Sequence, residues 1–162
     1  WHEIMERFRR GETINGKRFQ LAPLLPGAVE VLEALRKLNV PLALVSNKRE
    51  DSLLQELEAS GLGRYFQHVY GHKDGRLSKP SSQPIEATLK TMGIAPGNVW
   101  YIGDQLSDME AARGEGMLRV LIGRQQAEMA RERGMRNDPA GAIVFIDALR
   151  ELTAILLRLP AR

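Results

Sequence analysis

The stretch that decides the fold is NVWYIGDQLSD, residues 98–108. It is a short apolar run that stops at Gly103-Asp104, and a second carboxylate, Asp108, follows just before a helix-forming segment. An apolar run between turn signals is typical of a strand buried on both faces. In an open α/β sheet, ligands bind outside the carboxyl ends of the strands. We therefore expect Asp104 at a strand tip and Asp108 near the first turn of the next helix, with both carboxylates facing one spot.

Each of these carboxylates also has an ordinary structural interpretation. An Asp that follows Gly at a strand end is often a turn residue or a helix cap, which would account for Asp104. Asp108 alone fits a first-turn carboxylate that the helix dipole favours. Oxygen ligands at a strand tip do suit a hard cation such as Mg²⁺. The pair becomes a prediction of a metal site only together with residues elsewhere in the chain.

The rest of the chain alternates between strand and helix patterns. Apolar runs predict strands at 40–45, 66–70, 98–103, 119–122 and 143–146, and helical spacing predicts helices at 28–38, 50–60, 84–92, 109–113, 125–133 and 148–157. Strands that alternate with helices over such connections form a parallel sheet with right-handed crossovers. The predicted fold class is therefore α/β, a Rossmann-like three-layer sandwich.

Composition limits the classes of protein. The chain has 162 residues, 43% hydrophobic and 27% charged, which predicts one soluble domain, or one domain with a remnant of another. The absence of cysteine excludes disulfides and thiolate metal sites and favours the cytoplasm. No apolar run approaches the ~20 residues of a membrane span, so no membrane partner is expected. The net charge is +3, but basic residues alternate with Glu at 128–133, as on a solvated helix face, so no nucleic-acid partner is expected either.

Polar side chains follow three of the predicted strands. Ser46 and Asn47 end the strand 40–45, Lys79 opens the helix after the strand 66–70, and Asp104 ends a third strand. A hydroxyl, an ammonium and a metal-binding carboxylate are suited to holding a phosphoryl group, because phosphoryl transfer needs chiefly positioning and charge neutralisation. Taken singly, Ser46 also fits a helix cap and Lys79 a solvated loop lysine.

Together and in this order, these residues resemble the haloacid dehalogenase-like hydrolase superfamily, which consists mainly of Mg²⁺-dependent phosphatases. The resemblance covers about residues 23–157. The segment LVSN at 44–47 is similar to the family's second motif, Lys79-Pro80 to its third, and Gly103-Asp104 with Asp108 to its fourth.

The resemblance implies a role for each residue in these motifs. It implies that Ser46 and Lys79 are catalytic, that Asn47 joins them in contacting the substrate, and that Asp104 and Asp108 serve the metal. Asp108 would lie near the metal, either as a ligand or in contact with a ligand. The implied cofactor is Mg²⁺ and the implied substrate is a small phosphorylated metabolite.

One departure from the family concerns its first motif, Asp-x-Asp, which supplies the nucleophile and the general acid/base. This motif occurs nowhere in the chain. In the family it lies on a central first strand, ahead of a helical cap. Residues 1–22 resemble the tail of that cap, and residues 23–162 the core domain without its first strand. We therefore expect the catalytic strand to lie upstream, so that a missing N-terminal segment or a second chain completes the sheet. We expect no activity from this chain alone.

Two other functions stay open. A protein that lost the nucleophile would keep the phosphate pocket and act as a non-catalytic binding or scaffold module. A 2-haloacid dehalogenase needs no metal, and the pair Gly103-Asp104 argues against it. The substrate itself is not predicted, since in this family the cap selects it.

Overall fold

The computed structural model describes residues 12–14, 17–18, 23–113, 116–135 and 143–156. The strands are β1 (Thr13–Ile14), β2 (Lys17–Arg18), β3 (Ala43–Arg49), β4 (His68–His72), β5 (Trp100–Gly103), β6 (Leu118–Ile122) and β7 (Ile143–Ile146). The helices are α1 (Ala28–Lys37), α2 (Glu50–Ser60), α3 (Gln83–Met92), α4 (Leu106–Ala111), α5 (Arg124–Glu132) and α6 (Leu149–Leu156), with 3₁₀ turns at Leu62–Tyr65 and Pro96–Asn98. The alternation of strands and helices confirms the predicted α/β class.

All pairing among β3 to β7 is parallel, and it falls into two parts. β3 pairs with β4, and β5 pairs with β6, which pairs with β7. Within the described residues, β3 and β5 each pair on one side only. We call the gap between these two parts the break in the sheet. β3 and β5, which both carry or precede predicted site residues, border this break. The expected first strand between β3 and β5 stays a prediction.

The layers of the sandwich are visible at two neighbouring residues of β6. Val120 packs in a buried cluster with residues of α1, β7 and α6, whereas Leu121 packs in a cluster with residues of α4 and α5. Successive side chains of a strand point to opposite faces of the sheet. Helices therefore cover both faces, as the sandwich prediction requires.

A third apolar cluster joins the two parts of the sheet. Its buried members lie on α3 (Ile85 and Leu89), at the end of α4 and at Met117. Val45 of β3 and Tyr101 of β5 both pack against it. β3 and β5 therefore pack against the same cluster, although the two strands do not pair in the part of the chain that the structure describes.

Two element predictions need correction. The strand predicted at 40–45 is Ala43–Arg49 in the structure, because Pro41 lacks an N–H for the ladder and lies before the strand. The antiparallel pair of β1 and β2, in which Thr13 lies opposite Arg18 and Ile14 opposite Lys17, is absent from the predicted strands.

Most of the predicted cap remnant, residues 1–22, lies outside the described residues, so that boundary stays a prediction. Among the helices that the structure describes, none is long and apolar enough to cross a membrane.

Candidate active site

The end of β3 leaves the regular ladder where Ser46 and Asn47 lie. Val45 is paired with Tyr70, and the next paired residue of β3 is Arg49, opposite His72. β3 thus places three residues, Ser46 to Lys48, opposite the single residue between Tyr70 and His72. A bulge of this kind bends a strand and redirects its side chains. The backbone N–H of Lys48 donates to Ser46 Oγ at 3.2 Å, which stabilises the bend.

Asn47 connects this bulge to Lys79, which lies 32 residues further along the chain. Its Nδ2 donates to the carbonyl oxygen of Lys79 at 2.8 Å, and the backbone N–H of Lys79 donates to Asn47 Oδ1, also at 2.8 Å. One carboxamide therefore satisfies both main-chain groups of one residue. The peptide bond that follows, Lys79-Pro80, is cis.

The ammonium of Lys79 lies between the two parts of the sheet. Its Nζ donates to the carbonyl oxygen of Val45 at 3.2 Å and to Oδ1 of Asp108 at 2.6 Å. The side chains of Lys79 and Asp108 are 13% and 5% exposed. A buried ion pair is tolerated when further hydrogen bonds satisfy its remaining groups, and both partners have such bonds.

Asp108 is held on its other side by the start of its own helix. Its Oδ2 accepts the backbone N–H of Gln105 at 3.0 Å, one half of a capping box. Gly103 makes room for it, because a Cβ at position 103 would lie 2.5 Å from Cβ and Oδ2 of Asp108. This close approach is a physical reason for glycine in the Gly-Asp pair.

Asp104 differs from Asp108 in its surroundings. It follows β5 directly, is exposed, and makes no hydrogen bond or ion pair with the described residues. A free carboxylate at a strand tip fits one ligand of a hard cation. Asp108, whose oxygens both have partners, fits a residue that holds Lys79 instead. No group of three or more His, Cys, Asp or Glu side chains suited to a metal occurs in the described part of the chain.

Tyr101 of β5 is a neutral, packed side chain. Burial raises the pKa of the Tyr101 phenol well above its ordinary value, and the negative charge of Asp108 raises it further. The phenol therefore stays protonated, and Tyr101 contributes packing against Leu106 and Met109.

Sequence reasoning missed a contact one residue before Lys79. Ser78 Oγ lies 2.9 Å from Nδ1 of His72, the last residue of β4. Neither Ser78 nor His72 is among the predicted site residues. The adjacency of Ser78 to Lys79 is the only hint that the sequence offers.

A separate cavity of about 390 Å³ lies along β4, lined by residues that include His68, Val69, Tyr70, Arg76 and Gln83. Three consecutive strand residues line it, so it follows the edge of the strand and not one face of the sheet. None of Ser46, Lys79 or Asp104 lines it.

Comparison with known proteins tests the predicted family resemblance. The sequence profile of the family described as "Haloacid dehalogenase-like hydrolase" matches residues 2–122. The chain belongs to this family. The predicted resemblance to this family is therefore confirmed.

Among curated relatives, the phosphoglycolate phosphatase of Escherichia coli strain K12 is 36% identical over 93 residues, which cover 57% of this chain and 37% of that protein. The phosphoglycolate phosphatase of Pseudomonas savastanoi pv. phaseolicola is 28% identical over 106 residues, 65% of this chain and 39% of that protein. The chain thus spans well under half the length of these relatives.

Among solved structures, a HAD-superfamily hydrolase from Ehrlichia chaffeensis superposes with a TM-score of 0.70 at 28% identity, over 85% of this chain and 59% of that protein. A HAD-superfamily hydrolase of subfamily IA from Geobacter sulfurreducens gives a TM-score of 0.63 at 23% identity, over 82% of this chain and 60% of that protein, and supports the fold alone.

For this family member, the structure connects the predicted site residues in one region. Lys79 contacts the residue before Ser46 and the helix that follows Asp104, and Asn47 holds the main chain of Lys79. The substrate and metal roles of these residues stay predictions.

Proposed function

We propose that this chain is the core of a Mg²⁺-dependent phosphomonoester hydrolase. The observation that carries the proposal is the position of the Lys79 ammonium. It is held between the carbonyl oxygen of Val45 and the carboxylate of Asp108. Val45 precedes Ser46, and Asp108 lies in the helix that follows Asp104. In a family of hydrolases, a cation at the carboxyl ends of two parallel strands is placed to neutralise a substrate phosphate. The names of the curated relatives make phosphoglycolate the first substrate to test.

Three side chains would hold the phosphoryl group. Ser46 would donate its hydroxyl hydrogen to one phosphate oxygen, and Lys79 would neutralise charge on another. Asp104, which is exposed and has no hydrogen bond or ion pair with the described residues, would hold Mg²⁺, and bound Mg²⁺ would supply further charge neutralisation at the phosphate. Asp108 would act through Lys79 by fixing its ammonium.

The nucleophile would come from outside the sequence described here. The chain contains no Asp-x-Asp, and the break between β3 and β5 is the place where a further strand would lie beside Lys79. An Asp on that strand would attack phosphorus and release the alcohol, which takes up a proton. Water would then hydrolyse the aspartyl-phosphate to regenerate the carboxylate and release inorganic phosphate. This chain contains no cysteine, which suits a reducing compartment, and we place the enzyme in the cytoplasm.

The test is a fusion that supplies the missing strand. The part of the E. coli phosphoglycolate phosphatase that precedes the matching region is joined to the start of this chain, and phosphate release from phosphoglycolate is measured with and without Mg²⁺. We expect turnover by the fusion, none by the chain alone, and loss of turnover in Lys79→Ala and Asp104→Asn fusions. Equal turnover by the unfused chain would contradict the nucleophile argument.

A second candidate function is phosphate binding without catalysis, and the absence of Asp-x-Asp from the chain favours it. The sequence encoded upstream of Trp1 in the gene distinguishes the two. An in-frame Asp-x-Asp supports the hydrolase, whereas a start codon close to Trp1 supports the binding module. Release of chloride from 2-chloropropionate by the fusion would instead support the dehalogenase alternative.

A further inference from the structure

Asn47 pairs with Lys79 in the way that a neighbouring strand would. Its amide oxygen accepts the N–H of Lys79 and its amide nitrogen donates to the carbonyl of Lys79, each at 2.8 Å. The partners fix the orientation of the amide, because a main-chain N–H needs an acceptor and a carbonyl needs a donor. β4 has already ended at His72, so no strand described here pairs with Lys79. The side chain of Asn47 takes over this role.

This pairing determines where the Lys79 ammonium can reach. Lysine has a long, flexible side chain, and ordering it costs conformational entropy. Lys79 is fixed at both ends: Asn47 holds its main chain, and Val45 and Asp108 hold its ammonium. The contact between His72 and Ser78 holds the residue immediately before it. If the main chain at position 79 were free to shift, the two contacts of the ammonium would weaken together.

We propose that Asn47 is a positioning residue, which clamps the main chain of Lys79 so that the ammonium stays at the phosphoryl site, and that it is not itself a substrate ligand. This inference rests on the proposed function for its consequence in catalysis. The clamp itself rests only on the contacts described. It changes the role predicted for Asn47 from the sequence, where the residue was expected to contact the substrate.

The first test measures how accessible the Lys79 amine is. The chain is treated with a low concentration of an acetylating N-hydroxysuccinimide ester, and the rate of acetylation of each lysine is followed by mass spectrometry. Lys79 is 13% exposed and ion-paired, so it should react slowly in the wild type. In Asn47→Ala we expect its rate to rise on the order of ten-fold, the effect of losing two hydrogen bonds. Asn47→Asp, which keeps the acceptor but loses the donor, should give an intermediate rate.

Controls separate this local effect from general loosening. Lys37 and Lys90 lie on α1 and α3, away from the clamp, and should keep their wild-type rates in every variant. Asn98→Ala is the matched substitution, at an exposed Asn in the 3₁₀ turn 96–98. It should leave the rate of Lys79 unchanged. A Lys79 rate in Asn47→Ala that stays within two-fold of wild type would overturn the proposal.

The second test uses inorganic phosphate as the probe, with affinity measured by calorimetry in the presence of Mg²⁺. If Asn47 is a positioning residue, Asn47→Ala weakens phosphate binding and accelerates labelling of Lys79 together. If Asn47 is a direct ligand, phosphate binding weakens while labelling of Lys79 stays slow, and the proposal is wrong. A wild-type chain that binds no phosphate would count against the proposed function, whereas faster labelling in Asn47→Ala would still support the clamp.

Discussion

The Nζ atom of Lys79 lies 2.6 Å from Oδ1 of Asp108, and this contact crosses the break in the parallel sheet. Lys79 follows β4, which pairs with β3, whereas Asp108 lies in α4, directly after β5. The two halves of the sheet share no strand pairing among the described residues, so this pair and the apolar cluster around Ile85 and Met117 join them. The same contact that supports the fold thus places a cation at the proposed phosphoryl site.

Removing the carboxylate should therefore destabilise the chain. In Asp108→Asn, the ammonium of Lys79, whose side chain is 13% exposed, would keep the Val45 carbonyl but lose its counter-charge. Breaking a buried pair by removing one partner costs about 3–5 kcal/mol. Urea unfolding followed by circular dichroism measures this loss. Asp51→Asn is the matched control, since Asp51 is 54% exposed and its ion pair with Arg49 is on the surface; it should cost less than about 1 kcal/mol. Equal stability of the two variants would contradict the structural role of Asp108.

Adding a methyl group at position 103 should displace the side chain of Asp108. A Cβ on Gly103 would lie 2.5 Å from the Asp108 side chain, a distance that requires movement. Gly103→Ala is expected to cost about 1–3 kcal/mol, as overpacking does, and to weaken phosphate binding by shifting Lys79. Gly97→Ala is the control, because a Cβ there meets nothing within 4 Å. Phosphate affinity by calorimetry and unfolding in urea are the measurements. If both alanine variants behave like the wild type, the close approach at Gly103 is unimportant.

Stability should depend on pH through Glu50, at the start of α2. Burial alone would raise the pKa of Glu50, but hydrogen bonds from Lys73 and from the N–H of Gly71, with the charges of Lys73 and Arg76, hold it below its ordinary value of 4.5. The folded state therefore binds fewer protons than the unfolded state around this pH. The stabilising contribution of Glu50 is present above pH 4.5 and is lost as the pH falls through the lowered value.

The variant Glu50→Gln isolates that contribution. The difference in unfolding free energy between wild type and Glu50→Gln, measured in urea from about pH 6 down to about pH 3, should shrink as the pH falls. Glu86→Gln, at an exposed position on α3, is the matched control. A difference between wild type and Glu50→Gln that stays constant with pH would show that the pKa of Glu50 is not lowered by folding.

Much of the fold could be predicted from the sequence because its signals are local. Apolar runs and helical spacing located β5, β6 and β7 and the helices between them to within a few residues. The Gly103-Asp104 pair marked a strand end correctly. The short strands β1 and β2 were missed, since two residues carry no alternation. The sequence Asn-Gly between them, which often connects hairpin strands, was the available signal.

The details of the site could not be predicted, because they depend on contacts between distant segments. The clamp between Asn47 and Lys79 requires the bulge in β3 and the return of the chain after β4, and neither leaves a mark in local sequence. Asp104 and Asp108 look alike in sequence, yet Asp104 is exposed and has no hydrogen bond or ion pair with the described residues, whereas Asp108 is buried against Lys79 and Gly103. Their different surroundings depend on the packing of α4, which local sequence does not show.

The most direct test of the central claim is the affinity of the chain for inorganic phosphate in the presence of Mg²⁺, measured by calorimetry for the wild type and for Ser46→Ala, Lys79→Ala and Asp104→Asn. Asp74→Asn is the matched control for Asp104→Asn, because Asp74 is 94% exposed and lies in the loop after β4. We predict that each of the three substitutions weakens binding about ten-fold or more, in line with loss of a charge-assisted hydrogen bond, and that Asp74→Asn does not. Phosphate binding that is unchanged in all three variants would contradict the claim that Ser46, Lys79 and Asp104 form one phosphoryl site.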